Sequence, residues 1–440
     1  MNKILVTGIA VILAISTSAG AEAQKSAIIP FPALTLQKAV ETAVEHNSRI
    51  KDATEQRNRS IEYKKSAISD FFAKAEANYR YTRMRNAPYV LIGGAQIQTA
   101  HDRLNHWDVS LVQPVFTGFA LSSQYRIAKN NVEIETCERE QTLIDLVQQV
   151  KAAFLNALLA EKIRNVTEEQ VSALRGHTED AKKYYDQGII PHNDLLKSQV
   201  ALANALQQQE KAKADVILAI SRLNLLMATD MNTERTLAER KIGPVFNFNM
   251  DALVKEGLKN RPLLKALRLG LENQASAVTL ARSDYYPQIS LVGMVEQNGE
   301  DWAESNNDFS NPHNAAIAFY AKWTFFEWGK TRFRVSGGLH AKNALAERIL
   351  EVEDGVRLEI QKAYLDLDVS RNNIQTAEQA LEQAEENWRI TKLQYDQQVV
   401  NSTEVLDARA FLTQADTNYY HALYGCMISL SELERAVGRR

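Results

Sequence analysis

Proline is scarce in this 440-residue chain, nine in all, and unevenly placed. None occurs between Phe119 and Gln187, and none follows Pro312. An interior proline costs a helix about 3 kcal/mol, so nothing of that kind interrupts a long helix in either interval. Cysteine is scarcer still. Cys137 and Cys426 both sit in apolar helical pattern and read as two buried thiols rather than a disulfide. An excess of positive charge is also missing: 51 Lys and Arg against 54 Asp and Glu leave a net charge of −3, with no basic face for a nucleic acid. Beyond the N-terminus no apolar run approaches the roughly 18–20 residues of a spanning helix; "AAFLNALLA" and "YVLIGGA" fall far short. The eight histidines are scattered. Only His101 and His106 lie close, and they share no metal-ligand spacing with a cysteine. Phosphate loops, nucleophile elbows and H-E-x-x-H are absent. The chain is therefore read as a non-enzyme, without cofactor or bound metal.

What is present begins at the N-terminus. Lys3 precedes an apolar run over residues 4–15, and small residues then lead to Ala21-Glu22-Ala23. This predicts a secretory signal peptide over 1–23, with Gln24 opening the mature chain. No cysteine lies near the cut, which argues against a lipid anchor there. The mature chain is then either soluble or enters a membrane as strands.

The stretch "YYDQGIIPHNDLL" at 184–196 is echoed by "QYDQQVVNSTEVL" at 394–406, with Tyr185 answered by Tyr395 (395 − 185 = 210). At the same shift "VKAAFLNALLA" from Val150 matches "IQKAYLDLDVS" from Ile360, and "RLNLLMA" from Arg222 matches "ELERAVG" from Glu432. Nearer the N-terminus, "LQKAVETAVEHN" from Leu36 answers "MDALVKEGLKN" from Met250, four residues further apart. The expected organisation is a tandem duplication, repeat 1 over 24–243 and repeat 2 over 244–440, with a seam near Gly243-Pro244. Repeats of this kind share one core.

Within each copy helical spacing gives way to strand alternation and returns. Strands are predicted at 74–83, 107–116, 287–296 and 316–325, each about the length of a tilted membrane-spanning strand. Long helices follow, one of them over 331–397, about 100 Å at 1.5 Å per residue. Shorter helices at 48–72 and 193–229 stack end to end beside them. The pieces 24–47 and 230–247 fall near mid-height. Aromatic residues crowd the strand–helix junctions: Phe71 and Phe72, Phe116 and Phe119, Tyr285 and Tyr286, then Phe325, Phe326 and Trp328. Such girdles mark membrane interfaces. Four strands cannot close a barrel, and open edges are intolerable in lipid. Two chains would supply eight strands and three would supply twelve, the latter with room for a channel.

The signal, the repeat, the strand pairs, "AYLDL" at 363–367, "LNLLM" at 223–227 and the paired turns together resemble the TolC outer-membrane efflux protein family. The resemblance covers essentially the whole mature chain. It implies a mainly α fold with β: a homotrimer whose twelve-stranded β-barrel sits in the lipid of a Gram-negative outer membrane, above a long periplasmic α-barrel. It implies a passive exit duct for an efflux or type I secretion system, served by an inner-membrane pump and a periplasmic adaptor. The turns become adaptor-docking tips, Gly188, Ile189, Ile190 and Asn193 in one copy, Val399, Val400 and Thr403 in the other. Asn193 stands where the family has a helix-opening Ser or Thr, and Gln398 where it has glycine, which puts the second tip's geometry in question. The family's narrow periplasmic entrance maps to Asp194, Tyr395, Glu404 and Asp407, while Val400 replaces a basic partner. The alternative from another class is a soluble periplasmic coiled-coil scaffold or adaptor.

Overall fold

The computed structural model describes residues 33–239, 248–302 and 307–440. The signal segment and the seam at Gly243-Pro244 lie outside them. The chain opens with two helices, α1 (Leu36–His46) and α2 (Ser48–Ser69), and then four strands, β1 (Lys74–Arg83), β2 (Tyr89–Ile92), β3 (Ala95–Gln98) and β4 (Arg103–Phe116). Next come α3 (Ala120–Asp186), α4 (His192–Leu226), α5 (Met250–Asn260) and α6 (Pro262–Arg282). β5 (Gln288–Gly299) and β6 (His313–Lys322) precede α7 (Lys330–Asp396) and α8 (Ser402–Ala436).

The helices repeat in length. α3 and α7 have 67 residues each, α4 and α8 have 35 each, and α1 and α5 have 11 each. The left-handed residues repeat as well: Gly118 with Trp328, Phe119 with Gly329, Gly188 with Gln398, and Ala228 with Gly438. Each pair is separated by the shift read between the turns. At the strand-to-helix corner two consecutive residues are left-handed in both copies, but glycine takes the first position in "GF" and the second in "WG". The backbone path is kept while the residue that tolerates it most easily changes place.

The core sits at mid-height. Leu146, Val150, Phe154 and Leu158 of α3 are buried against Ala39 and Ala43 of α1, Leu223 of α4 and Tyr424 of α8. A second cluster joins Leu253 of α5, Leu264 of α6, Val356 and Ile360 of α7, and Leu433 of α8. The apolar segment containing "AAFLNALLA" makes α3 long and apolar enough to cross a membrane, contrary to the expectation from run length. Most of it is buried inside the protein, which is how a core helix reads.

At one end β1, β4, β5 and β6 form an antiparallel sheet in that order. Its register sorts the side chains. Tyr79, Trp107, Val109, Leu111, Val295, Leu291, Ile317 and Phe319 share one face, and Asn78, Arg80, Asp108, Ser110, Glu296 and Asn314 share the other. The apolar face lies uncovered, with Ile317 83% and Phe319 67% exposed. Among the described residues β1 and β6 have no outer neighbour. A register irregularity near Pro114, which has no N–H for the ladder, breaks the pairing of β4 with β5.

The strands differ from expectation in three ways. β4 starts at Arg103 and β5 runs to Gly299, both longer than the alternation suggested. β6 ends at Lys322, so Phe325, Phe326 and Trp328 lie past the strand. "YVLIGGAQIQ" forms a hairpin of its own, β2 with β3, through Gly93 and Gly94, both with positive φ as a two-residue turn requires.

Candidate functional sites at the two ends

The two tips have one geometry. At the first, Gly188 has φ 74°, its N–H donates to Tyr185 O at 2.8 Å, and Ile189 N–H donates to Tyr184 O at 2.8 Å. At the second, Gln398 has φ 62°, donating to Tyr395 O at 2.8 Å, and Val399 N–H donates to Gln394 O at 2.8 Å. Both are left-handed helix terminations of the Schellman kind. The missing glycine has not altered the turn. Ile189 and Val399 are exposed, whereas Ile190 and Val400 are partly covered.

The caps beyond the turns do differ. Asn193 is not the cap of α4: that position is Pro191, which offers no side-chain bond, and Asn193 lies inside the first turn. Pro191 leads into the helix in an extended conformation, φ −70° and ψ 152°. In the second copy Asn401 is the cap, its Oδ1 accepting from Thr403 N–H at 2.9 Å and Glu404 N–H at 3.2 Å. Thr403 therefore serves another purpose: its Oγ1 accepts from Lys197 Nζ at 3.0 Å. Lys197 also lies 3.8 Å from Asp194, which makes it a cationic link between the tips. Sequence reasoning passed over Lys197, although its place three residues after Asp194 was a signal.

Glu404 and Asp407 are exposed on α8, while its Val405, Ala408 and Leu412 are buried. Tyr395 is 3% exposed, and its hydroxyl has no hydrogen-bond partner among the described residues. Burial first, then the nearby Tyr184 and Asp194, push its phenol up to about 12. Its ring lies 4.7 Å from that of His177 and 5.7 Å from that of Tyr184. His177 Nε2 is 2.8 Å from Ser402 Oγ, and Ser402 Oγ is 2.9 Å from Ser198 Oγ. This buried polar chain joins α3, α4 and α8 just inside the tips. Desolvation holds the His177 imidazolium down at about 4, partly opposed by Asp180 and Asp396. Further inside, Arg409 is buried beneath the Trp388 ring at 5.6 Å.

At the other end, aromatic side chains bind the corner where strands meet helices. Phe116, Phe119 and Tyr286 form a three-way edge-to-face cluster with centroids 5.7–6.2 Å apart. Phe71 packs edge-on to Tyr125 at 6.3 Å. Trp323, unmarked in the sequence, donates its indole N–H to Tyr285 O at 3.1 Å and packs 6.1 Å from Phe325. Phe326 meets Trp328 at 5.0 Å, while Phe72 stays exposed.

An uncovered apolar sheet above a long helical bundle with two matched tips is a distinctive pairing. Residues 72–229 and 253–439 match the family model for outer membrane efflux proteins. The chain belongs to the outer membrane efflux protein family. It is 24% identical over 332 residues to the cobalt-zinc-cadmium resistance protein CzcC of Cupriavidus metallidurans, covering 74% of this chain and 75% of that one. It is 20% identical over 329 residues to the outer membrane protein TolC of Vibrio cholerae, covering 70% and 73%. The Campylobacter jejuni CmeC outer membrane channel superposes with a TM-score of 0.81 at 16% identity, over 97% of this chain and 93% of that one. As a member of this family the protein is placed in the outer membrane, with its helical part in the periplasm. The family is one of efflux channels, not enzymes, and membership sets aside the soluble scaffold.

Proposed function

We propose that three copies of this chain close into a channel-tunnel, a passive exit duct for substrates delivered by an inner-membrane pump through a periplasmic adaptor. The observation that carries this reading is the four-stranded sheet, apolar on one face and open at both edges. In lipid every backbone group must find a partner within the protein. Three sheets joined edge to edge meet that demand and enclose a polar lumen lined by the face that bears Asn78, Asp108 and Glu296. The paired helix lengths and paired left-handed residues support two tandem repeats, each supplying one strand pair and one tip.

The tips are the docking elements for the adaptor, with Ile189 and Val399 as exposed apolar contacts. Asp194, Tyr395, Glu404 and Asp407 form the periplasmic entrance. Purified in detergent, the mature protein should run as a trimer with a dominant helical and a minor strand signal in circular dichroism. A monomer that keeps its strand signal would refute the closed barrel. At Gly188 a Cβ would meet nothing within 4 Å, and the left-handed backbone costs Gly188→Trp about 1–2 kcal/mol, as Gln398 already bears in the other copy. The trimer should still insert, but export should stop because the bulk blocks docking. Normal export at normal protein levels would reduce Gly188 to a turn residue.

A further inference from the structure

At the end of the sheet far from the helices, three side chains that are distant in sequence come together. His101 precedes β4, Glu300 follows β5 and Asp308 lies ahead of β6. One ligand atom from each falls within 4.8 Å of the others. His101 Nε2 faces Glu300 Oε1 and lies 3.9 Å from Asp308 Oδ2. That nitrogen is shut off from solvent, and the groups that face it are these two carboxylates.

We infer that His101, Glu300 and Asp308 form a binding site for one divalent transition cation of the zinc class. Each ligand is held by its own support. The His101 ring packs 4.6 Å from Phe309. Glu300 is fixed through its carbonyl, which accepts from Asn105 Nδ2 at 2.6 Å. Asn307 steadies the loop around Asp308, its Oδ1 accepting from Phe309 N–H at 3.0 Å and Ser310 N–H at 3.2 Å.

One imidazole and two carboxylates suit zinc, cobalt or nickel, whereas calcium and magnesium prefer oxygen throughout. Zinc bonds of about 2.0–2.2 Å need donor atoms roughly 3.5 Å apart. His101 and Asp308 are near that spacing, while the Glu300 carboxylate, now in direct contact with the imidazole, must swing back to admit the ion. A divalent ion would also offset the negative charge gathered by Glu300 and Asp308. Three protein ligands leave a coordination position for water, the mark of an exchangeable site. The ion would clasp the loop before β4 to the β5–β6 loop, joining the two halves of the chain where the sheet ends. The eight histidines offered no such spacing in sequence, because both carboxylates lie in the other half of the chain.

The test uses untagged full-length protein in detergent, stripped with a chelator and kept reduced. Zinc competition against a chromophoric chelator, with cobalt absorbance as a second readout, should give about one site per chain with three protein ligands. Removing even an outer-shell partner typically costs 10–100-fold in affinity, so His101→Ala should lose at least about 100-fold. Glu300→Gln and Asp308→Asn, milder in shape, should each weaken binding, and circular dichroism should show both folded. His340→Ala, exposed on α7 and remote from the site, should bind as the parent does. Absence of a zinc site would overturn the inference, leaving a histidine–carboxylate ion cluster. Affinity unchanged in His101→Ala, or calcium bound as tightly as zinc, would overturn it equally.

Discussion

His177 Nε2 lies 2.8 Å from Ser402 Oγ, and both residues are buried. The bond ties the longest helix of the first half to the start of the last helix, close to both tips. Desolvation lowers the His177 pKa from 6.5 to about 4, against the pull of Asp180 and Asp396 and with Lys392 adding to the fall. The folded protein therefore holds this proton more weakly than the unfolded chain. Its stability contribution is complete above about pH 6.5 and is lost as pH falls toward 4. Protonation should cost about 2 kcal/mol at pH 5. Thermal unfolding at pH 7.5 and pH 5 should reveal the loss, and His177→Gln should flatten that part of the profile. An unchanged slope in the variant would assign the acid sensitivity elsewhere.

Gln398 occupies a left-handed backbone position that costs a non-glycine residue about 1–2 kcal/mol. Gln398→Gly should therefore raise stability by up to about 1 kcal/mol, after the added freedom of the unfolded chain is counted. Denaturant midpoints measure the gain. A loss would mean that the Gln398 side chain contributes more than the strain removes.

Gly118 is left-handed and hemmed in. A Cβ there would stand 2.5 Å from Ser283 O and 2.9 Å from Tyr286 Cβ. At Gly329, its left-handed neighbour in the other copy, a Cβ would meet only the Phe333 ring, at 3.2 Å. Gly118→Ala should destabilise by about 3 kcal/mol, from strain plus a backbone clash. Gly329→Ala should cost about 1–2 kcal/mol, chiefly the left-handed penalty. Equal losses would mean that the corner yields where the packing says it cannot.

Glu404 and Asp407 form an exposed acidic pair on one side of α8. If they line the entrance, each repeats around the axis, and rings of carboxylates favour cations. Small, cation-selective conductance is expected in planar bilayers. Glu404→Gln with Asp407→Asn should reduce that preference and leave the trimer intact. Reversal potentials that do not move in a salt gradient would place both side chains away from the lumen.

Much of the scaffold was legible in the sequence because long proline-free periodic segments leave few choices. The predicted long helix over 331–397 forms over Lys330–Asp396, and the strand expected at 74–83 forms over those residues. Errors gathered where local signals were ambiguous. "YVLIGGA" is too short for a membrane span, and its Gly93-Gly94 between apolar residues is instead a hairpin signal. The side chain of Asn193 suits a helix cap, yet α4 starts one residue before it, at His192, with Pro191 in the cap position. The buried partnership of His177, Ser198 and Ser402 was beyond reach. Its members come from three helices, and a lone polar residue in a helix carries no mark of its distant partner.

The equal lengths of α3 and α7 make the two tips level, since both helices depart from the same sheet. Length is also phase. One residue inserted into either helix would lift its tip by about 1.5 Å and swing it through about 100°. Ile189 and Val399 would then no longer point outward together. Insertions and deletions in these rods are thus linked: a change in one half demands the same change in the other. A whole heptad removed from both halves, with the matching turns of the partner helices, would shorten the rods yet leave the rim flat and its side chains aimed as before. The protein's reach across the periplasm is adjustable in such steps, while its two ends stay the same.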